Sequence, residues 1–451
     1  MVFFFLFKLI QKEKPMEEKR AEWTNHISFI LATVGSAVGL GNVWRFPYIM
    51  GKYGGAVFLF TYLFLIAFIC IIPLCVELTL GKISRKDTVT TFNMINPKFK
   101  GFGWLCVLTV VLISCFYFVV GGWILQYLWL FLTNNIPENF SQYFPLFASG
   151  TTIPVILTIL FLVMCAIFPF RGVNKGIEKA NNIMMPALAV MLILLAIYSL
   201  SLPGAKEGLE FMFKPDFSKF SSSMVLTALG QALFTLSIGM GAILTYGSYM
   251  KQDTKILKSS YTLIGFDTTV SLLSGIMIFP IVFSFNVEPT AGPTLIFISL
   301  PEMFSKLPFP AVLGSLFFIL ILFAAITSGI SMLETAIASM IENFKISRKK
   351  ATVLLSLFIS VVSIPSVFSF GIMKDFQIFG KTFFDFLDFI TSNILLPLNT
   401  ALICLIAGWF VKSIKKEAFG ENILGNIFYF LLKFVIPLIF IGVLITGLIQ
   451  V

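Results

Sequence analysis

The stretch GSAVGLGNVWRFPY, residues 35–48, falls inside the first long apolar segment of the chain and carries three glycines, an asparagine, an arginine and a proline. A helix that crosses lipid must pair its backbone groups within itself, and each of these residues works against that. A break at such a place is tolerated only where the freed N–H and C=O groups are buried in protein or line a polar cavity. Residues 35–48 therefore mark a point where the backbone itself can serve a ligand.

The surrounding composition fixes the setting. Of 451 residues, 58% are hydrophobic and 12% charged, and 53 are phenylalanine. Soluble domains lie nearer about half apolar and a quarter charged. Apolar runs of the length needed to cross about 30 Å of hydrocarbon recur throughout. The class is an all-α polytopic membrane protein. The formal charge of +10 does not point to nucleic acid. Lys and Arg crowd alternate loops, at 8–20, 82–100, 171–179, 251–258, 345–350 and 412–416, and the stretch 131–152 has none. That alternation is the positive-inside pattern and places the N-terminus in the cytoplasm, as expected for the inner membrane of a cell. The six cysteines all lie in apolar spans, which argues against disulfides, and the single histidine, His26, leaves little for imidazole catalysis or a histidine metal site. The opening MVFFFLFKLI lacks a small-residue cleavage site, and Met16 is an alternative start.

Eleven spans are expected, at 27–49, 56–80, 104–132, 153–170, 177–201, 225–250, 257–285, 309–342, 351–368, 382–410 and 427–449, which leaves the C-terminus outside. The longest external loops are 202–224 and 286–308. Span 6 repeats the opening signature: Gly239-Met240-Gly241 answers Gly39-Leu40-Gly41. The two lie five spans apart, so they sit at opposite membrane polarity. Corresponding Gly-interrupted segments in two halves point to an inverted-repeat transporter with its site between them. Gly35 and Gly39 also have GxxxG spacing, which helix packing alone explains. Polar residues tip the balance: Asn42 and Arg45 in span 1, Glu77 in span 2, Gln231, Thr235, Ser237 and Thr245 in span 6, Asp267 in span 7, Thr327, Ser328, Ser331 and Glu334 in span 8, and Asp385 and Asp388 in span 10. Intramembrane ionisable groups face an interior pathway and have partners. A carboxylate, an amide and hydroxyls beside two broken helices suit a small hard cation such as sodium.

WTNHISFILATVGSAVGLGNVWRFPY with GKYGGAVFLFTYLF resembles the first span and following turn of the neurotransmitter:sodium symporters. GQALFTLSIGMGAILTYGSY resembles their sixth span and FAAITSGISMLETA their eighth, and the likeness runs from about Arg20 to Val451. It implies the LeuT fold, a 5+5 inverted repeat with discontinuous helices 1 and 6. Residues 27–201 would form the first repeat, 202–224 an extracellular loop, 225–410 the second repeat and 411–451 a loop with an extra eleventh span, preceded by a cytoplasmic segment 1–26. The family's common form has twelve spans; the missing one puts dimerisation through late spans in doubt, so monomer and homodimer both stay open.

The resemblance implies two sodium sites and no enzyme. One would take the Gly35, Val38 and Ala324 carbonyls with the Thr327 and Ser328 hydroxyls. The other would take the Ala37 carbonyl, Asn42, Thr235 and Asp267 with the carboxylate of the substrate. Amides near Leu40 and Gly41 open the second half-helix and would face that carboxylate, since helix N-termini favour anions, and Tyr117 is the matching hydroxyl donor. Amine-transporting members carry an aspartate where this chain has Gly39, so an amino acid is favoured. Ile113, Phe234, Ser237, Met240, Gly329 and Met332 would set side-chain size, with tyrosine, tryptophan and leucine as first expectations. Chloride-dependent relatives have a neutral asparagine where Asp267 stands, beside Tyr62, Gln231, Thr235 and Ser271, so chloride is not expected; Asp267 holding a proton during the cycle is an alternative use.

Gates are implied in the same way. Arg45 and Asp388 resemble the external ion pair, and Arg20 with Glu342, Trp23, Ser248 and Tyr249 the internal closure; Glu342 departs from the usual aspartate. Outside that constellation Arg45 reads as an interfacial snorkelling residue. Glu77 would accept backbone hydrogen bonds at the span 6 break or serve packing alone. Gly176 and Pro186 resemble a device that lets the start of span 5 unwind in some bacterial relatives, or are a plain loop glycine and helix proline. A lipid-modifying membrane enzyme would need a nucleophile–base pair or metal cluster, which the sequence does not offer. A receptor would need an output domain. A carrier of another small carboxylate-bearing solute on the same fold is the realistic rival.

Overall fold

The computed structural model describes residues 20–287 and 295–449. The first nineteen residues, part of the loop expected at 286–308 and the last two residues lie outside them, and with them the question of the start methionine. Nine helices among the described residues are long and apolar enough to cross a membrane: Ala56–Ser84, Pro97–Leu132, Thr152–Phe170, Val173–Leu200, Ile256–Ser284, Pro310–Phe344, Arg348–Phe368, Phe383–Phe410 and Ile423–Leu448. They are spans 2–5 and 7–11. Span 1 is a bent pair, His26–Ala37 and Gly41–Lys52, whose halves meet at 53°. Span 6 is two pieces, Ser222–Thr235 and Ala242–Gly247, each too short to cross alone. The eleven expected segments are thus present, and spans 1 and 6 break at their Gly-X-Gly, whereas Gly101-Phe102-Gly103 at the start of span 3 lies in continuous helix.

Spans 3 and 8 form the centre: 83% of the most apolar stretch of each is buried, against 33% in spans 4, 5 and 11, whose outer faces are left for lipid. The loops hold more helix than their Pro, Ser and Gly content suggests. Ala205–Phe213 lies in the loop expected at 202–224 and packs on the end of span 7, where Met212 is buried and a Cβ on Gly208 would meet the Pro280 backbone at 2.7 Å. Thr88–Ile95 begins at an Asp87 cap, whose carboxylate accepts from the Val89 and Thr90 amides. Part of the phenylalanine content is spent on fastening loops. Trp123 of span 3 meets Phe144, Phe297, Phe370 and Phe384 at 5.0–5.9 Å between ring centroids, so four separate segments converge on one indole. All six cysteines are buried free thiols, as their place in apolar spans implies.

Candidate binding site

The breaks in spans 1 and 6 face each other. Span 1 stops helical bonding at Ala37; Val38 is extended (φ −75°, ψ 106°), and the chain re-enters helix through a π-helical turn, Gly41–Arg45. Asn42 N and Val43 N both donate to Gly39 O, at 3.2 and 3.4 Å. The amides of Leu40 and Gly41 precede those first bonds, as the opening amides of any helix do. In span 6 the break runs through the left-handed region at Ser237 (φ 54°), Gly239 (φ 86°) and Gly241 (φ 76°). It is tied from several sides. Glu77 Oε1 accepts from Gly239 N at 2.7 Å, Asn399 Nδ2 donates to Gly239 O at 2.8 Å, and Ser237 Oγ donates to Ser36 O at 2.9 Å. Glu77 thus accepts a backbone hydrogen bond at the break, one of the two uses open to it, and Asn399 of span 10 is the matching partner that was not anticipated.

Between the breaks lies about 350 Å³ of atom-free space, lined by Ser36, Ala37, Gly39, Leu40, Gly41, Ile113, Tyr117, Phe234, Thr235, Ser237, Met240, Ser328 and Met332. Every residue expected at a substrate is here except Gly329. A Cβ on Gly329 would meet Cys165 Sγ at 2.8 Å and Phe118 at 3.2 Å, so this glycine serves the contact of span 8 with spans 3 and 4 and does not widen the cavity. Ser328 and Met332, one turn apart, present the face that does. Ser36 was missed: its hydroxyl meets Ser331 Oγ at 2.8 Å while its side lines the cavity.

Two oxygen clusters flank the space. In the first, the fully buried Asp267 accepts from Asn42 Nδ2 at 2.7 Å, Thr235 Oγ1 at 2.9 Å and Tyr62 OH at 3.2 Å; Asn42 Nδ2 also reaches Ser271 Oγ at 2.9 Å, while Asn42 Oδ1 accepts from Gly39 N. Gln231 Nε2 donates to Gly41 O at 2.7 Å. In the second, Ser328 Oγ stands 3.4 Å from each of the Gly35, Ser36 and Val38 carbonyls, and Thr327 Oγ1 lies 3.1 Å from Ala324 O. Asn42, Thr235 and Asp267 are thus brought together in the first cluster and the Gly35 and Val38 carbonyls with Ser328 in the second, with Thr327 and Ala324 on the adjoining turn of span 8, and oxygens are the atoms hard cations take. Tyr117 OH donates to Ala325 O at 3.4 Å and lies 3.5 Å from where a Cβ on Gly39 would stand.

The two mouths differ. On the N-terminal side, Arg20 pairs with Glu342, donates to Ser248 Oγ at 2.5 and 3.1 Å and lies 4.5 Å from the Tyr249 ring centroid. Trp23 is locked beside it, its indole N–H donating to Tyr246 O at 3.1 Å. Behind them Tyr249 OH donates to Glu334 at 2.6 Å, and Arg348 grips the same carboxylate through both guanidinium nitrogens at 2.6 and 3.1 Å. Glu334 was visible as a carboxylate in a span, whereas Arg348 read as one more loop cation. On the opposite side Arg45 and Asp388 do not meet as an ion pair. Arg45 instead stacks 4.9 Å over Phe234, and Asp388 accepts from Ser392 Oγ. Clefts of similar size lie at both mouths, about 1340 Å³ of atom-free space between Arg45, Lys52, Thr227, Ser392 and Thr446 and about 1200 Å³ between Arg20, Phe170, Tyr249, Glu342 and Arg348, so it is the gate pairing that sets the two sides apart. Gly176 sits in a wound π-helical turn, Val173–Glu178, with Pro186 inside the continuous helix that follows.

Comparison with known proteins gives this arrangement relatives. A family model described as the sodium:neurotransmitter symporter family matches residues 20–143 and 148–451. The chain is 38% identical to the sodium-dependent transporter YhdH of Bacillus subtilis, over 94% of this chain and 96% of that protein. It is 27% identical to the sodium- and chloride-dependent GABA transporter 2 of Rattus norvegicus, over 76% and 66%. Among solved structures, MhsT in complex with L-phenylalanine superposes with a TM-score of 0.88 at 40% identity, over 95% of this chain and 100% of that one.

Proposed function

The chain belongs to the sodium:neurotransmitter symporter family and is a multi-pass, sodium-dependent transporter of the LeuT fold, and from that premise we propose that it imports amino acids with bulky apolar or aromatic side chains. One observation carries the reading: residue 39 is glycine, and the cavity it lines holds no acidic side chain. A substrate must then bring its own negative charge, and the Leu40 and Gly41 amides with the Tyr117 hydroxyl form the end of the cavity that receives it. Ile113, Phe234, Met240 and Met332 make the other end apolar, and methionines adapt to different side chains. That MhsT holds L-phenylalanine supports this choice.

Two sodium ions bind, one at Ala37 O, Asn42, Thr235 and Asp267 with the substrate carboxylate, the other at Gly35 O, Val38 O, Ala324 O, Thr327 and Ser328. Sharing a carboxylate makes sodium and substrate raise each other's affinity by linkage. Two charges moved through 100 mV supply roughly 4.6 kcal/mol, enough at about 1.4 kcal/mol per decade for a roughly thousandfold zwitterion gradient. Asp267 supplies the negative charge that chloride would otherwise bring, so transport is chloride-independent. The N-terminus is cytoplasmic and the C-terminus external; residues 27–201 and 225–410 are the inverted repeats. Spans 1, 2, 6 and 7 rock against spans 3, 4, 8 and 9, and the paired Arg20–Glu342 latch with Arg45 and Asp388 held apart corresponds to a state whose cytoplasmic gate is closed.

The test is uptake of labelled tyrosine, tryptophan, leucine and phenylalanine by reconstituted liposomes, with and without an inward sodium gradient. Sodium-dependent accumulation of one or more, retained when chloride is replaced by gluconate, is the expected result. Sodium binding without uptake of any of the four overturns the substrate class. Loss of uptake without chloride overturns the role given to Asp267. Asp267→Asn and Thr327→Ala each weaken the sodium dependence of transport by about tenfold or more, the loss expected for a charged or hydrogen-bonding ligand in a dry site.

A further inference from the structure

Residue 35 admits a second explanation besides the break. A Cβ there would lie 2.0 Å from Asn181 Oδ1 of span 5, so only glycine lets this amide reach the span 1 backbone. Asn181 is fully buried; its Nδ2 donates to Ile177 O at 2.9 Å, and its Oδ1 has no hydrogen-bond partner. A buried acceptor left unpaired is a standing cost of about 1–3 kcal/mol, which a native site retains for a reason. Covalent geometry puts the Cβ position of a residue within about 3.6 Å of its own carbonyl oxygen. Asn181 Oδ1 therefore lies within about 5.6 Å of Gly35 O, one of the carbonyls of the span 1–span 8 oxygen cluster.

Asn181 does not stand alone. Glu178, Asn181, Asn182 and Met185 share a face of span 5, at i, i+3, i+4 and i+7. Asn182, exposed at the edge of that face, donates through Nδ2 to the buried Ser28 Oγ of span 1 at 3.2 Å. Glu178, 5% exposed, accepts at one carboxylate oxygen from Thr24 N and Asn174 Nδ2, at 3.2 and 2.9 Å, where spans 1 and 5 begin. An oxygen-bearing seam thus runs between two apolar helices, from the cation cluster to the N-terminal face. It has an unpartnered ligand at its inner end and a carboxylate at its mouth. We infer that Asn181 Oδ1 is a transient sodium ligand, the first stop for the ion of the span 1–span 8 site on its way to the cytoplasm, followed by Ser28 and Glu178. The inference rests on the sodium assignment of that site. An ion leaving a cage of five oxygens for an apolar cleft must shed ligands faster than water replaces them, and a waiting amide oxygen lowers that barrier.

The experiment is independent of the transported substrate: equilibrium binding of ²²Na⁺ to the purified protein, and its dissociation rate on dilution into sodium-free buffer. Both are read in an Arg20→Ala background that unlatches the cytoplasmic side. Asn181→Ala is expected to leave equilibrium affinity within about twofold while slowing release about tenfold, the worth of one hydrogen-bond-sized interaction at the barrier. A merely structural asparagine predicts the opposite sign, because loosened packing speeds release. Asn181→Asp, close to isosteric, is expected to tighten equilibrium binding about threefold or more by placing a charge beside the ion. Release that is unchanged or faster in Asn181→Ala overturns the inference. Thr327→Ala, measured alongside, separates the two levels. If it leaves sodium affinity intact, the site assignment falls and the seam with it. If it weakens affinity while Asn181→Ala leaves release unslowed, the seam alone falls.

Discussion

Spans 1 and 6 are interrupted by the same Gly-X-Gly signature, and the glycines answer different demands. In span 6, Gly239 and Gly241 have φ of 86° and 76°, a region L side chains rarely enter. In span 1, neither Gly39 nor Gly41 has positive φ; what they supply is room, since a Cβ at residue 39 would stand 2.4 Å from Ser328 Oγ and one at residue 41 would stand 3.2 Å from Phe234. The span 6 break is a conformational requirement, held by Glu77, Asn399 and Ser237. The span 1 break is a steric one, held open for what enters the cavity. One motif can therefore be a backbone switch in one helix and an absence of side chain in another, and the sequence alone does not separate them.

The sharpest way to break this comparison is alanine at each site. Gly239→Ala is expected to cost about 3 kcal/mol, from left-handed strain plus contact with Leu396 O and Thr400 Oγ1, each 2.7 Å from its Cβ. A clear fall in the thermal unfolding midpoint of the purified protein would show it. Gly39→Ala is expected to spare that midpoint and to weaken substrate and sodium affinity by about tenfold or more, because the methyl displaces Ser328 from its carbonyls. If both variants lose stability alike, or both lose affinity alike, the distinction between the two breaks is wrong. Asn399→Ala comes next: it leaves Gly239 O without its donor and should lower stability by about 1–2 kcal/mol with sodium affinity unmoved. Glu77→Gln is expected to have the smallest effect, under about 1 kcal/mol, because the amide oxygen still accepts from Gly239 N. A larger loss would mean that the carboxylate charge itself matters at the break.

Much of this site was legible beforehand, for a definable reason. Backbone ligands are announced by glycines and by polar residues in apolar surroundings, and Asn42, Thr235, Asp267, Thr327 and Ser328 all carry that mark. Side-chain direction carries no such mark. Gly329 sits between two cavity residues in sequence yet faces Cys165, because a single step along a helix turns about 100°. Arg348 is indistinguishable from the cations around it until the fold lays it on Glu334. Arg45 and Asp388 show the reverse: a pair suggested by resemblance that this conformation holds apart, with an aromatic ring in place of the carboxylate. Loop helices such as Ala205–Phe213 were hidden because their stability comes from packing on span 7 rather than from their own composition.

The burial of all six thiols has a practical consequence. A protein whose native cysteines are sealed in its interior gives a silent background for maleimide chemistry, so single reporter cysteines can be added without first deleting the others. One at Ser223, in the open cleft by Arg45, and one at Lys349, beside Arg20 and Glu342, would turn each mouth into a separately addressable label site. The ratio of their labelling rates, followed as sodium and substrate are titrated, would read out which way the transporter faces in real time.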